Sequence, residues 1–461
     1  ILHLVLALLL VASVAQGEVT KVELSSRAPV GVSGYEKIVG TVHFAIDPKA
    51  PRNRVIVDID KAATNSSGLV AFSSDFYLLR PIAAARSNGV ALVEVSNRGR
   101  KGLLTGFSRA PANLEPSSDD DLGDGFLTGQ GYTLAWVGWQ FDVPRRGGLM
   151  RLDAPRAAGV NTIVRAEFTP NDRGTDMTVA DLAGYSPIDP TAADTTLTVR
   201  EGPFAVPRPV ERSRWQLKGH VVTMPGGFEP GRIYELAYRT AHPAVAGVGL
   251  AAYRDFAAWL KRGQIGDLNL GVSAKWAYAY GSSQSGRFLR TFLYYGFNAD
   301  EKDQAVFDGV LPHIAGGARL SLNERGATPN ALSLFTATAF PLADAATRDP
   351  VSGRTEGLLD NDRARRHQPK IFYTNSAVEY WGGGRSAALV HTSPDGQQDL
   401  TLPEHVRFYY FAGSQHSPAS YPARVTTGQQ AENPVEYWWT MRALLTAMDR
   451  WVRQGTPPPA S

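Results

Sequence analysis

Apolar and polar residues change their spacing several times along this chain, and the changes mark out its elements. Residues 40–47 ("GTVHFAID"), 72–81 ("FSSDFYLLRP") and 89–97 ("GVALVEVSN") are short runs rich in Val, Phe and Tyr, bounded by turn residues. That pattern predicts β-strands, and the third run is apolar enough to be buried on both faces. "DDDLGDGFLTGQG" then offers acidic capping residues, a short helix and a glycine stop, before another buried strand at 132–141 ("YTLAWVGWQF"). Strand, helix and strand within about fifty residues predict a βαβ crossover. Between about 147 and 238 prolines and Thr/Val alternation replace any helical period, which reads as a β-rich insertion.

The helix–strand rhythm resumes at 247–263, where apolar residues recur at helical spacing and Gly263 supplies a C-terminal stop. "AKWAYAYG" reads as a strand, "RFLRTFLYYGF" as a helix beginning near Arg287, and "VFDGVLPHIAGG" as a strand with its loop. Residues 319–368 are polar and irregular, the texture of a lid over a site. "PKIFYTN" and "HVRFYYFAG" are two further strands, and "PVEYWWTMRALLTAMDRWVRQG" is a closing amphipathic helix followed by a disordered tail at 456–461. The fold class expected is α/β, a mostly parallel central sheet flanked by helices, with one large domain over 18–455.

Composition narrows the function. The 461 residues carry 47 Lys and Arg against 44 Asp and Glu, a net charge of +3, and the basic residues are scattered. Nucleic acid is therefore not an expected partner. With no cysteine in the chain, disulfides, thiolate nucleophiles and cysteine-bound zinc are excluded. Residues 1–17, "ILHLVLALLLVASVAQG", read as the apolar part of a signal peptide whose own start lies upstream. This predicts export to the periplasm or medium, and no later segment is expected to span a membrane. No HExxH, phosphate loop or strand-linked GxGxxG is present, so no metal or cofactor is expected. "GGGR" at 382–385 lacks the strand-to-helix setting of a phosphate site and reads as a turn.

"YGSSQSGRF" (280–288) places three serines between a strand and a helix. A nucleophile on a sharp strand-to-helix turn needs small residues two before and two after it. Ser282 is flanked by Tyr280 and Gln284, and Ser285 by Ser283 and Arg287. Ser283 alone has small neighbours at both positions, Gly281 and Ser285. The hydroxyl of Ser285 is expected to add a hydrogen bond beside this turn. The free backbone N–H groups behind the nucleophile, that of Gln284 first, are expected to point where an oxyanion would form. A base must accept the serine proton. His416, in "FAGSQHSP" just beyond the last strand, is the histidine in the right place, whereas His313 and the others lack such a setting. The acid is expected after the preceding strand, where Glu379 is preferred to Asp395, which lies in an ordinary Pro-Asp-Gly turn. Asn97 and Arg98, after the strand at 89–97, are candidates for the second oxyanion donor. Trp139, Tyr380 and Trp381 are candidates to line a substrate pocket.

"VSNRGRKG", "GSSQSGRFLR", "FDGVLPHIAGGAR", "TNSAVEYWGGGRSAALVHT" and "FAGSQH", in that order, resemble a family of mostly bacterial, exported α/β-hydrolases. The resemblance runs from about Val30 to Gly455. It implies an α/β-hydrolase fold and a triad that falls on Ser283, Glu379 and His416. A more distant likeness joins the chain to tannases and feruloyl esterases, in which a cysteine commonly precedes the serine; Ser282 stands there instead, against those activities. The expected activity is hydrolysis of a small-molecule carboxylic ester through an acyl-enzyme. The same triad could serve an amidase or peptidase, and a third reading is an exported binding protein that keeps the fold without activity.

Overall fold

A computed structural model describes residues 18–203, 205–262, 274–329, 340–382, 386–426 and 428–461. The leader at 1–17, the expected helix stop at Gly263, the middle of the lid-like segment (330–339) and most of the glycine turn (383–385) lie outside the described residues.

A ten-stranded sheet organises the chain. Its strands are β1 (Glu18–Val30), β2 (Tyr35–Ile46), β3 (Val70–Pro81), β4 (Val90–Val95), β5 (Thr133–Val137), β6 (Leu152–Asp153), β7 (Trp276–Ser282), β8 (Gly309–His313), β9 (Lys370–Ser376) and β10 (Val406–Phe411). They run in the order β1-β2-β3-β5-β4-β7-β8-β9-β10, with β6 paired to β3. From β5 to β10 every neighbour is parallel, and β1–β3 add an antiparallel wing. Every residue of β4, β5 and β8 is buried, as parallel strands covered on both faces require. The β4–β5 pair is the predicted crossover.

Among the described residues, five α-helices have five or more residues: α1 (Leu103–Ser108), α2 (Val248–Arg262), α3 (Gln284–Tyr294), α4 (Ala377–Trp381) and α5 (Trp438–Gln454). One face of the sheet packs on α2 and α3 in a core that includes Phe256, Phe288 and Phe292. The other packs on α1 and α5 through Phe107, Met441, Leu445 and Trp451. Helix α2 is buried on all sides from Val248 to Leu260, and carries the enclosed pair Arg254–Asp255. Between β6 and α2 the chain builds a four-stranded sheet from 161–168, 196–200, 208–209 and 233–241, and a three-stranded one from 176–178, 216–218 and 221–223.

Three features depart from expectation. Strand β1 was not predicted, because most of its side chains are exposed and show no strict alternation. A register with β2 running from Glu18–Ala45 to Val30–Tyr35 holds it instead. The tail at 456–461 is not loose: Ser461 Oγ accepts the Phe408 N–H at 2.9 Å and Pro459 O accepts the Tyr409 hydroxyl at 2.8 Å. It lies along edge strand β10, whose outer N–H groups need partners. The lid-like segment has apolar anchors in the core, Leu320, Leu322, Leu358 and Leu359, and is tied to α3 by Leu320 N–H to Thr291 Oγ1 at 2.8 Å.

Candidate functional site

The turn from β7 to α3 places Ser283 at φ 60°, ψ −120°, left-handed backbone that a residue with a side chain rarely adopts. Its N–H donates to His313 O at 2.9 Å, and its carbonyl accepts the Arg287 N–H at 3.0 Å. A Cβ at Gly281 would sit 2.4 Å from Ser285 O and 2.6 Å from its carbonyl carbon, so the turn closes only over glycine. Helix α3 begins at Gln284, three residues before the expected start. Its first N–H groups have no acceptor within the helix and face the turn. Ser282 is the last residue of β7, in register with His313. Ser285 is fully buried and its hydroxyl has no partner, which corrects the hydrogen bond expected of it.

Glu379 lies on α4, the short helix after β9, and is 3% exposed. His416 Nδ1 is 2.5 Å from its Oε1, and its Oε2 accepts the Ser376 hydroxyl. A carboxylate only accepts here, so Nδ1 carries a proton, and in the neutral imidazole Nε2 is then the nitrogen with the lone pair. The His416 loop is fixed from three sides. Ala377 N–H donates to Ser414 O, Asn433 Nδ2 to Gly413 O, and the Tyr437 hydroxyl to His416 O at 2.7 Å. Asp395 is exposed and bonded within its own turn to Ser393 and Gln397.

His313, set aside on sequence grounds, sits beside this arrangement. It is fully buried at the end of β8, with Nδ1 2.9 Å from Thr374 Oγ1 and its ring 5.0 Å from that of Tyr437. Burial, aided by the charge of His416 nearby, lowers its pKa to about 3, so the ring stays neutral. Its carbonyl holds the Ser283 N–H, while the Tyr437 ring against it ties back to the His416 carbonyl. The signal in the sequence was a histidine closing a fully apolar strand.

The loop after β4 is held from below. Glu94 accepts the N–H groups of Gly102 and Leu103 at 2.9 Å and the Trp136 indole N–H at 2.5 Å, and burial raises its pKa to about 7. Arg98 stands at φ 51°, but its N–H donates to Gln140 Oε1 at 3.0 Å. Its backbone donor is thus engaged, a correction to its expected part in an oxyanion hole. The line continues from Gln140 Nε2 to Gln284 Oε1 at 3.4 Å and from Gln284 Nε2 to Pro329 O at 2.7 Å. Asn97 forms a bridge with Arg100 in the same loop.

The aromatic candidates separate. Trp139 is 1% exposed, donates to Ser96 O at 2.7 Å and packs 4.7 Å from Phe288, as a core residue does. Tyr380 stacks 4.6 Å from Tyr410 and, with Phe408 and Leu402, lines a cavity of about 580 Å³. Trp381 is 72% exposed and donates to the Tyr410 hydroxyl at 3.3 Å; neither it nor Ser283, Glu379 or His416 is among the residues that line this cavity. Among the described residues no group of three or more acidic or histidine side chains is placed to hold a metal ion, and no helix is long and apolar enough to cross a membrane.

Among curated proteins no relative matches the chain. Among solved structures it is similar to a glucuronoyl esterase from Solibacter usitatus, at 14% identity and a TM-score of 0.34 over 94% of this chain and 89% of that one. It is also similar to the rice cell wall degrading esterase LipA from Xanthomonas oryzae, at 10% identity and a TM-score of 0.33 over 87% and 92%. Likeness this loose assigns no activity. Residues 215–461, from the insertion through the serine turn, Glu379 and His416 to the tail, match the model of the alpha/beta hydrolase domain, and the chain belongs to that family.

Proposed function

We propose that the chain is a serine carboxylic-ester hydrolase in which Ser283 is the nucleophile, His416 the general base and Glu379 the acid that orients it. The observation that carries this reading is the 2.5 Å contact from Glu379 to His416 Nδ1, on a histidine linked to the strained serine turn through Tyr437 and His313. His416 Nε2 takes the proton of Ser283 as its oxygen attacks the ester carbonyl. The negative charge of the tetrahedral intermediate falls at the start of α3, where the Gln284 N–H supplies the first donor. His416 then returns the proton to the departing alcohol, and water repeats the sequence on the acyl-enzyme. Glu379 is almost wholly buried and in direct contact with His416, whose side chain is 46% exposed, so its charge meets that of the imidazolium with partial screening by solvent. The apolar run at 1–17 supports export, and a substrate met outside the cytoplasm.

Replacement of Ser283 by alanine tests the proposal. With p-nitrophenyl butyrate, kcat should fall by on the order of 10⁶, as when a triad serine is removed elsewhere. A fluorophosphonate probe should label the parent chain and not the variant. Turnover by Ser283→Ala within tenfold of the parent rules the mechanism out.

A further inference from the structure

We propose that Arg287 is an anion subsite beside the nucleophile, and that the preferred substrate is an ester bearing a carboxylate apart from its scissile group. This rests on the reading of Ser283 as the nucleophile. Arg287 is one helical turn beyond Ser283 on α3, its N–H bonded to the Ser283 carbonyl. The side chain is 6% exposed, and Nη2 is buried without any hydrogen-bond partner. Among the described residues no carboxylate lies within ion-pair distance of it. The nearest charge it feels is Glu379, whose two oxygens are already taken by His416 and Ser376.

Other buried arginines have acceptors for part of their fork, although Arg200 Nε and Arg290 Nε and Nη1 also lack a partner. Arg200 pairs with Glu167, Arg254 with Asp255, and Arg290, one turn along α3, donates to Gly317 O and Leu342 O. Arg287 differs in that its guanidinium has no acceptor at all among the described residues, and it lies next to the serine turn. An enclosed guanidinium without acceptors is costly, and it remains charged at neutral pH even though burial lowers its pKa to about 10. Its planar fork of N–H donors matches a carboxylate in two parallel hydrogen bonds. A carboxylate entering with the substrate supplies the missing acceptors and fixes the ester over Ser283. The same contact disfavours neutral esters, which leave the fork unpaired.

The test compares charged and neutral esters of the same shape by pH-stat. Monomethyl glutarate against dimethyl glutarate places the carboxylate on the acyl half, and O-acetyl glycolate against O-acetyl glycolamide places it on the alcohol half. In one pair the kcat/KM ratio of charged to neutral ester should exceed one in the parent chain. Arg287→Met should lower that ratio by roughly ten- to hundredfold, the range of a hydrogen-bonded charge pair, and Arg287→Lys should restore part of it. Independently of any variant, glutarate should inhibit turnover of p-nitrophenyl butyrate competitively and more strongly than glutaramide. That measurement decides the matter should Arg287→Met not fold. Ratios unchanged by Arg287→Met in both pairs, or equal inhibition by glutarate and glutaramide, overturn the subsite while leaving the serine mechanism standing. Turnover that survives Ser283→Ala overturns both.

Discussion

Exchange of Glu379 for glutamine removes one charge and leaves the shape almost unchanged. The carboxylate is 3% exposed and 2.5 Å from His416 Nδ1, whose side chain is 46% exposed, so in the proposed mechanism solvent screens the pair only in part. Taking charge centres about 4 Å apart at an effective dielectric of about 20, the attraction is about 4 kcal/mol, or close to three decades in rate. A second effect adds to this. The glutamine amide can donate to Nδ1, which moves the imidazole proton to Nε2 and leaves no lone pair toward Ser283, as in the corresponding change that costs about 10⁴ in a serine protease. Glu379→Gln should therefore lower kcat for p-nitrophenyl butyrate by roughly 10³ to 10⁴ with KM changed little. The Ser376 hydroxyl still finds an acceptor in the amide oxygen, so the thermal midpoint should move by only a few degrees. Asp395→Asn, in its exposed turn, is the reference and should stay within about twofold of the parent. A loss below tenfold in folded Glu379→Gln refutes the assignment of the acid.

Two more expectations concern the scaffold. Gly281→Ala puts a Cβ 2.4 Å from the Ser285 carbonyl oxygen, a backbone atom that cannot rotate away. It should lower stability in urea by about 3 kcal/mol, and an unchanged midpoint contradicts the close approach. His313 has a folded pKa of about 3 against an ordinary 6.5, so between those values the unfolded chain binds a proton that the folded chain refuses. Its share of stability is present above pH 6.5 and is lost as pH falls toward 3, by about 1.4 kcal/mol per pH unit. The stability difference between parent and His313→Gln should therefore shrink as pH falls through that window, and a constant difference argues against a neutral buried ring.

Much of this protein is legible in its sequence because several of its constraints are local. Strands β4, β5 and β7 to β9 appear as apolar runs, since a parallel strand buried on both faces needs little else, and edge strand β10 appears as an aromatic one. The choice of Ser283 among three serines needed only the sizes of residues two positions away, and the 2.4 Å approach at Gly281 is that same steric rule in three dimensions. Strand β1 left no such trace, because a polar edge strand is held by backbone bonds to its neighbour. Trp139 and Tyr380 looked alike as aromatic residues near candidate site residues. Only the packing of Phe288 against the first and the open cavity beside the second tell core from pocket.

Partners and dielectric belong to the tertiary structure. Glu379 and His416 are 37 residues apart, and their contact depends on β9 and β10 lying side by side in parallel. Arg98 had the right position after β4, yet its N–H is spent on Gln140, a residue brought in by the loop after β5. Ser285 satisfied the steric rule and still has no hydrogen-bond partner. His313 is held neutral, and Arg287 left without an acceptor, by elements far from either in the chain. Local sterics select which residue can occupy a strained turn. What surrounds that residue, how strongly charge is felt there and which polar groups wait for a ligand are decided when the sheet closes over them.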